Sequence, residues 1–280
     1  MRILITGGNG QLGKALRGLP GMENHAVFSA DVDNLDILDE EKLFAAVDDF
    51  KPDVIFHCAA YTAVDKAEEC REDAYRLNVN GTKNVAVAAQ RVGAKLLAVS
   101  TDYVFGGDGD EPWQVDAPKA PKSWYGETKH LGEQEALANC DKTFVVRTAW
   151  LFGDGGNFVR TMIRLGQTRD ELTVVCDQHG SPTYAADLAA FLMALSGTEH
   201  YGVYHFRNGG YTTWAEFAAE IMRQAGLKTV IRPVTSEEYG SPANRPRNSR
   251  LSLDKLAEIG MPMPRPWQEA LAAYLANGQK

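Results

Sequence analysis

Short apolar runs alternate with amphipathic stretches along the first half of the chain. The runs at 2–6, 26–30, 54–58, 95–100 and 143–147 predict five strands. Between them, apolar positions at helical spacing predict helices over 11–16, 40–50, a long stretch at 64–91, and 125–138. Strands apolar on both sides, separated by helices, imply a parallel sheet with both faces covered. Right-handed crossovers then make a doubly wound, Rossmann-like α/β fold.

Beyond residue 150 the pattern loosens. Helices are predicted over 158–165, 185–195 and 214–225, the last with Thr212 or Thr213 as N-cap, and a strand over 202–206. Residues 240–250 read as a polar, proline-containing loop, and two short helices close the chain. The expected organisation is a dinucleotide-binding domain over 1–150, extended by part of 178–206. Beside it stands a smaller α/β C-terminal substrate lobe, mainly 151–280.

Composition narrows the function. Hydrophobic residues make up 44% of 280, enough for a full core without staples. A net charge of −8 argues against nucleic-acid coating, which wants a basic face, yet permits a small phosphorylated ligand at a local basic cluster. No apolar run reaches membrane-spanning length, and the N-terminus enters a strand directly instead of a signal peptide. Cys58, Cys70, Cys140 and Cys176 form no CxxC pair, and no histidine has ligand-like spacing. The expectation is a cytoplasmic protein with reduced thiols and no metal site.

Residues 7–13 read Gly-Gly-Asn-Gly-Gln-Leu-Gly, immediately after the first strand and at the start of a helix. Two registers fit, Gly8-x-Gly10-x-x-Gly13 and Gly7-x-x-Gly10-x-x-Gly13. Such a turn needs backbone angles that side chains forbid, and it aims helix N–H groups at a pyrophosphate. Gly7, Gly10, Gln11, Leu12 and Gly13 are therefore candidate cofactor contacts. The second strand ends near Asp31 and Asp33. A carboxylate there suits the ribose hydroxyls of NADH and repels a 2′-phosphate, favouring NADH or dual use. A solvated carboxylate turn is the competing reading. Asp36 and Ile37 begin the next element and are candidates to meet the adenine.

The fourth strand runs into Thr101 and Asp102, and Tyr125-Gly-Glu-Thr-Lys129 follows. Tyr and Lys four apart share a helix face, about 6 Å apart at Cβ. A neighbouring ammonium and the nicotinamide's positive charge stabilise phenolate and are expected to pull the tyrosine toward neutrality, so that it can protonate a carbonyl oxygen while hydride reaches the carbon. Thr101 can hold the same oxygen.

These segments closely resemble the dTDP-4-dehydrorhamnose reductase family of extended short-chain dehydrogenases. The resemblance also runs through Pro52-Asp-Val-Ile, Ala59-Ala-Tyr-Thr-Ala-Val-Asp-Lys-Ala-Glu68 and Ser100-Thr-Asp-Tyr-Val-Phe105. Further along it includes Arg147-Thr-Ala-Trp-Leu-Phe152 and Arg245-Pro-Arg-Asn-Ser-Arg-Leu251, covering residues 2 to 251 in order. It implies reduction by NADPH or NADH of the 4-keto group of dTDP-4-dehydro-6-deoxy-L-mannose to dTDP-L-rhamnose, a precursor of surface polysaccharide. By matching positions it implies Tyr125 as proton donor, Lys129 as its partner and a second contact to the nicotinamide ribose, and Thr101 as the orienting hydroxyl. Ala59, Ala60, Tyr61 and Thr62 would line the nicotinamide side; the family often has His at Tyr61. A homodimer is compatible, but Lys14 and Ala15 stand where some relatives carry a metal-bridging carboxylate.

On the substrate side, Trp150 follows the fifth strand, and the resemblance implies sugar contact. Val64 and Lys66 lie on the rim after the third strand, where Lys66 either meets substrate or pairs with a carboxylate. Asp102 adjoins the carbonyl-orienting Thr101. Asn157 opens a helix and is a candidate for phosphate. Arg245, Arg247 and Arg250 with Asn248 and Ser249 form the basic loop best suited to a diphosphate. Gln178 to Thr183 matches a family loop near the substrate. Two other readings of the same scaffold are a non-catalytic dinucleotide-binding regulatory subunit and a sister epimerase or dehydratase. The dehydratase wants an Asp-Glu pair where this chain has Asp102-Tyr103.

Overall fold

A computed structural model describes residues 1–240 and 245–278. Five strands, β1 (Arg2–Thr6), β2 (Ala26–Ala30), β3 (Val54–His57), β4 (Lys95–Thr101) and β5 (Thr143–Thr148), join the strand Gly202–His205 in one parallel sheet. The spatial order is Gly202–His205, β5, β4, β3, β1, β2. The order reverses between β1 and β3, so the carboxyl ends of these two strands open a crevice.

Alternation along each strand sends residues to opposite faces. Ile3, Ile5, Val54, Phe56, Phe144 and Val146 meet the helices Gln11–Arg17 and Ala185–Ser196. Leu4, Ile55, Leu96 and Ala98 meet Glu40–Phe50 and Thr82–Val92 on the other side. A separate aromatic core, with Phe152, Tyr184, Phe217, Trp267 and Tyr274, holds the smaller lobe.

The stretch 64–91 is not one helix. It breaks at Cys70 into Val64–Glu69 and Arg71–Tyr75, widens into a π-helical turn over Arg76–Gly81, and resumes as Thr82–Val92. The widened turn aims Asn78 at the loop after β3. The lobe also contains pairings not legible in the pattern: Glu171–Val175 with Val230–Val234, Leu151–Phe152 with Thr183–Tyr184, and His179–Gly180 with Thr212–Thr213. Within the loop expected over 240–250, residues 241–244 lie outside the described residues.

Candidate active site

A groove of about 850 Å³ runs along the carboxyl ends of the strands. Its floor begins at the glycine turn. Gly7 has φ +67°, and a Cβ there would stand 2.6 Å from the Ala59 nitrogen. A Cβ on Gly13 would meet the Gly7 carbonyl at 2.4 Å. The turn therefore lies flat against the end of β3, and Gly10, Gln11, Leu12 and Gly13 face the groove. The helix Gln11–Arg17 starts with no side-chain cap and no acidic residue in its first turn, so its leading N–H groups and positive dipole end are left for an anion. This fits the pyrophosphate of a dinucleotide.

Asp31, Asp36 and Ile37 line the same groove. The Asp31 carboxylate accepts from the Asn9 and Val32 backbone nitrogens, each at 2.9 Å, which fixes it beside the turn. Ala59, Ala60, Tyr61, Thr62 and Val64 form the opposite wall. Asn78 ties that wall down. Its Oδ1 accepts from Tyr61 N at 2.8 Å, and its Nδ2 donates to Tyr61 O at 3.2 Å and Thr128 Oγ1 at 3.0 Å. Asn78 is buried and holds the groove wall to the helix Trp124–Asn139, a role hidden inside a helical run. The only signal was a polar Asn in mid-helix.

Thr101, Asp102, Tyr125 and Lys129 converge on the groove. Ser123 caps the helix Trp124–Asn139 through Gly126 N, placing Tyr125 in its first turn and Lys129 one turn on. Thr101 Oγ1 donates to Asp102 Oδ1 at 3.0 Å. Tyr103 packs edge-on against the Tyr125 ring, with centroids 5.4 Å apart. Burial pushes the Tyr125 phenol up to about 12, partly offset by the nearby Thr101 hydroxyl, while the Asp102 charge adds to the rise. The expected pull toward neutrality is thus absent in the chain alone. The cause is desolvation, and the Lys129 ammonium is directed to the Val99 carbonyl at 2.8 Å. Lys129 itself is lowered to about 8, chiefly by burial. Asp102 is raised to about 6 for the same reason, partly offset by the Ser249 and Thr101 hydroxyls.

Trp150 lines the groove from a left-handed conformation, φ +50°. Its ring stacks on Trp214 at 3.8 Å between centroids. Gly180 permits this, since a Cβ there would stand 2.7 Å from the Trp150 ring.

Tyr103, which the sequence marks only as the residue in place of a dehydratase glutamate, also borders a second cleft of about 490 Å³. Arg245, Arg247 and Lys122 line it with Gln178 and Ser236. Arg245 pairs with Asp65 at 2.8 Å and Arg247 reaches Asp177 at 3.9 Å.

Three candidates sit differently from expectation. Asn157 borders the groove, but its amide is engaged. Oδ1 caps the helix Phe158–Gly166 at Arg160 N, and Nδ2 donates to Gly153 O at 2.6 Å. Asn248 is buried outside both clefts, its Nδ2 donating to Glu111 O at 2.8 Å. Lys66 is exposed on Val64–Glu69 and lines neither cleft.

The sequence profile of the RmlD substrate binding domain matches residues 1–280. A dTDP-4-dehydrorhamnose reductase of Streptomyces griseus is 43% identical over 278 residues, covering 96% of this chain and 91% of that protein. The spore coat polysaccharide biosynthesis protein SpsK of Bacillus subtilis (strain 168) is 40% identical over 275 residues, 98% of this chain and 96% of SpsK. Among solved structures, a dTDP-4-dehydrorhamnose reductase of Bacillus anthracis in complex with NADP superposes with a TM-score of 0.96 at 44% identity, covering 99% of each chain.

Proposed function

The chain belongs to the dTDP-4-dehydrorhamnose reductase family, and on that premise we propose that it reduces the 4-keto group of dTDP-4-dehydro-6-deoxy-L-mannose to dTDP-L-rhamnose. NAD(P)H, when bound, supplies the hydride. Gly7, Gly10 and the uncapped first turn would hold its pyrophosphate, with Asp31 toward the adenosine ribose.

The protein's own chemistry is the proton. Reduction at C4 leaves charge on O4, which needs a protonated donor. Tyr125 is such a donor because burial keeps its phenol neutral. It gives its proton to O4 as the hydride arrives at C4. Thr101, in the same groove lining, orients the oxygen. The phenolate left behind is a buried anion, and the ammonium of Lys129, one turn away on the same face, offsets it. Trp150 offers an aromatic face to the sugar. The second cleft, with its two arginines, suits the nucleotide diphosphate, Tyr103 standing between the two halves of the ligand. The product would enter surface polysaccharide, and the enzyme would work in the cytoplasm with its cysteines reduced.

The observation that carries this reading is a half-buried Tyr125 on the groove wall, with Thr101 in the same lining and Lys129 one turn behind. The purified protein should consume NADH or NADPH when given the keto sugar, with dTDP-L-rhamnose identified by mass and NMR. Tyr125→Phe should lower kcat at least about a hundredfold. Near-normal turnover by that variant would remove the phenol from the mechanism.

A further inference from the structure

Behind Lys129 lies an ion pair that the reaction as described leaves unused. Glu133 stands one turn beyond Lys129 on Trp124–Asn139, so the two share a helix face. Arg147 on β5 meets it as a fork, Nε to Oε1 and Nη2 to Oε2, both at 2.7 Å. The side chains are 2% and 4% exposed, Arg147 and Glu133 respectively. Arg147 Nη1 donates to Val115 O at 2.8 Å, and the guanidinium lies over the Phe105 ring.

A pair this buried is a poor fastening. Desolvation of two charges cancels most of their attraction, and a hydrophobic pair of similar volume would hold helix to sheet as well. An apolar pair would not act on the ammonium one turn away. Burial drives Lys129 toward its neutral form, and Glu133 opposes this, while Cys58, its thiol pushed up to about 12 by burial, stays protonated and adds no charge. His57, facing Lys129 from the end of β3, is held neutral by burial and supplies no counter-charge. Asp102 acts on Tyr125. Glu68 and Arg71, from the helices packed on the N-terminal end, are engaged at Trp124. His130 contacts Glu133 at 3.8 Å, and Lys119 sits beyond Arg147.

We propose that Glu133 is a positioning residue for the reduction: its carboxylate, held ionised by the Arg147 fork, keeps the Lys129 ammonium charged beside Tyr125. The inference rests on the assignment of Lys129 given above.

The readout is the alkaline limb of the pH profile of kcat/KM, where activity falls as Lys129 loses its proton. Removing the carboxylate makes that loss easier, so Glu133→Gln should move the limb toward neutral pH by about one pH unit. That variant strands the Arg147 charge in the core and can fail to fold for that reason alone. The deciding variant is therefore Glu133→Gln with Arg147→Met, which removes both charges. It should melt and bind NADPH close to wild type while its alkaline limb still lies at lower pH. A folded double variant with the wild-type limb overturns the proposal. So does one that cannot fold, since the pair would then serve the fold itself. Lys129→Arg tests the underlying assignment separately. A guanidinium does not lose its proton, so the limb should vanish, and a limb unmoved in that variant would count against Lys129 whatever Glu133 does.

Discussion

His57 spends both ring nitrogens on threonines, Thr6 Oγ1 at 2.7 Å and Thr82 Oγ1 at 3.0 Å. Burial first, then the Lys129 charge, lowers it from 6.5 to about 3. His205, beside Arg147, is lowered to about 3 as well. A depressed folded-state value means that the stability from neutral burial is complete above pH 6.5 and is lost as pH falls toward 3, because the unfolded chain binds the proton first. At pH 5 each histidine should cost about 2 kcal/mol. His57→Gln keeps a donor and an acceptor for the two threonines, so its Tm should fall less steeply than wild type between pH 7 and pH 5. Parallel Tm curves would show that His57 is not the neutral group described. Nothing near His57 in the sequence hints at this, because its partners lie 51 and 25 residues away. The same distance effect governs Asn157, whose amide is shared with Tyr274, 117 positions on. Tyr125 and Lys129 were legible because their relation is local, four residues on one helix. Their proton affinities were not, because these depend on which groups burial removes from water.

Elements were readable where their own residues decide them. Strands β1 to β5 are apolar on both faces, and the glycine turn announces itself by steric need. The stretch 64–91 shows the limit. Its widened turn exists so that Asn78 can reach Tyr61 and Thr128, and no periodicity records such a contact. The small pairings of the second lobe are two residues long or, in Val230–Val234, interrupted by Arg232 and Pro233. Trp150 illustrates how such minor elements act together. A left-handed backbone at a bulky residue costs about 1–3 kcal/mol and persists only when its surroundings hold it. Here Thr212–Thr213 pairs with His179–Gly180, which sets Trp214 on one side of the indole and Gly180 close by. Trp214→Ala removes the stack and should raise KM for the sugar nucleotide roughly tenfold, consistent with about 0.5–1.5 kcal/mol of aromatic pairing plus lost burial. NADPH affinity should stay within about twofold, since Trp214 does not line the groove. An unchanged sugar KM would mean that Trp150 is held by its backbone alone.

The chain as a whole does not divide at residue 150. After β5 it leaves for the aromatic lobe, returns with the helix Ala185–Ser196 and the edge strand Gly202–His205, and leaves again. The returning helix covers one face of the sheet. Leu188, Leu192 and Leu195 pack into the cluster that buries Leu12, Leu16, Phe144 and Val146. A fragment ending at residue 150 would expose those last four side chains. At about 1.5–3 kcal/mol each, the loss is roughly 6–12 kcal/mol, as large as the whole stability of a typical domain. The fragment keeps the glycine turn, Tyr125 and Lys129, so local sequence alone would suggest that it binds the cofactor. The packing says otherwise, because the uncovered helix Gln11–Arg17 carries the turn. The 1–150 fragment should therefore show no cooperative melting and no NADPH binding, while the full chain melts in a transition that NADPH raises. A fragment with a sharp melt and NADPH affinity within about tenfold of the full chain would show that the first five strands are sufficient and that the returning helix only decorates them.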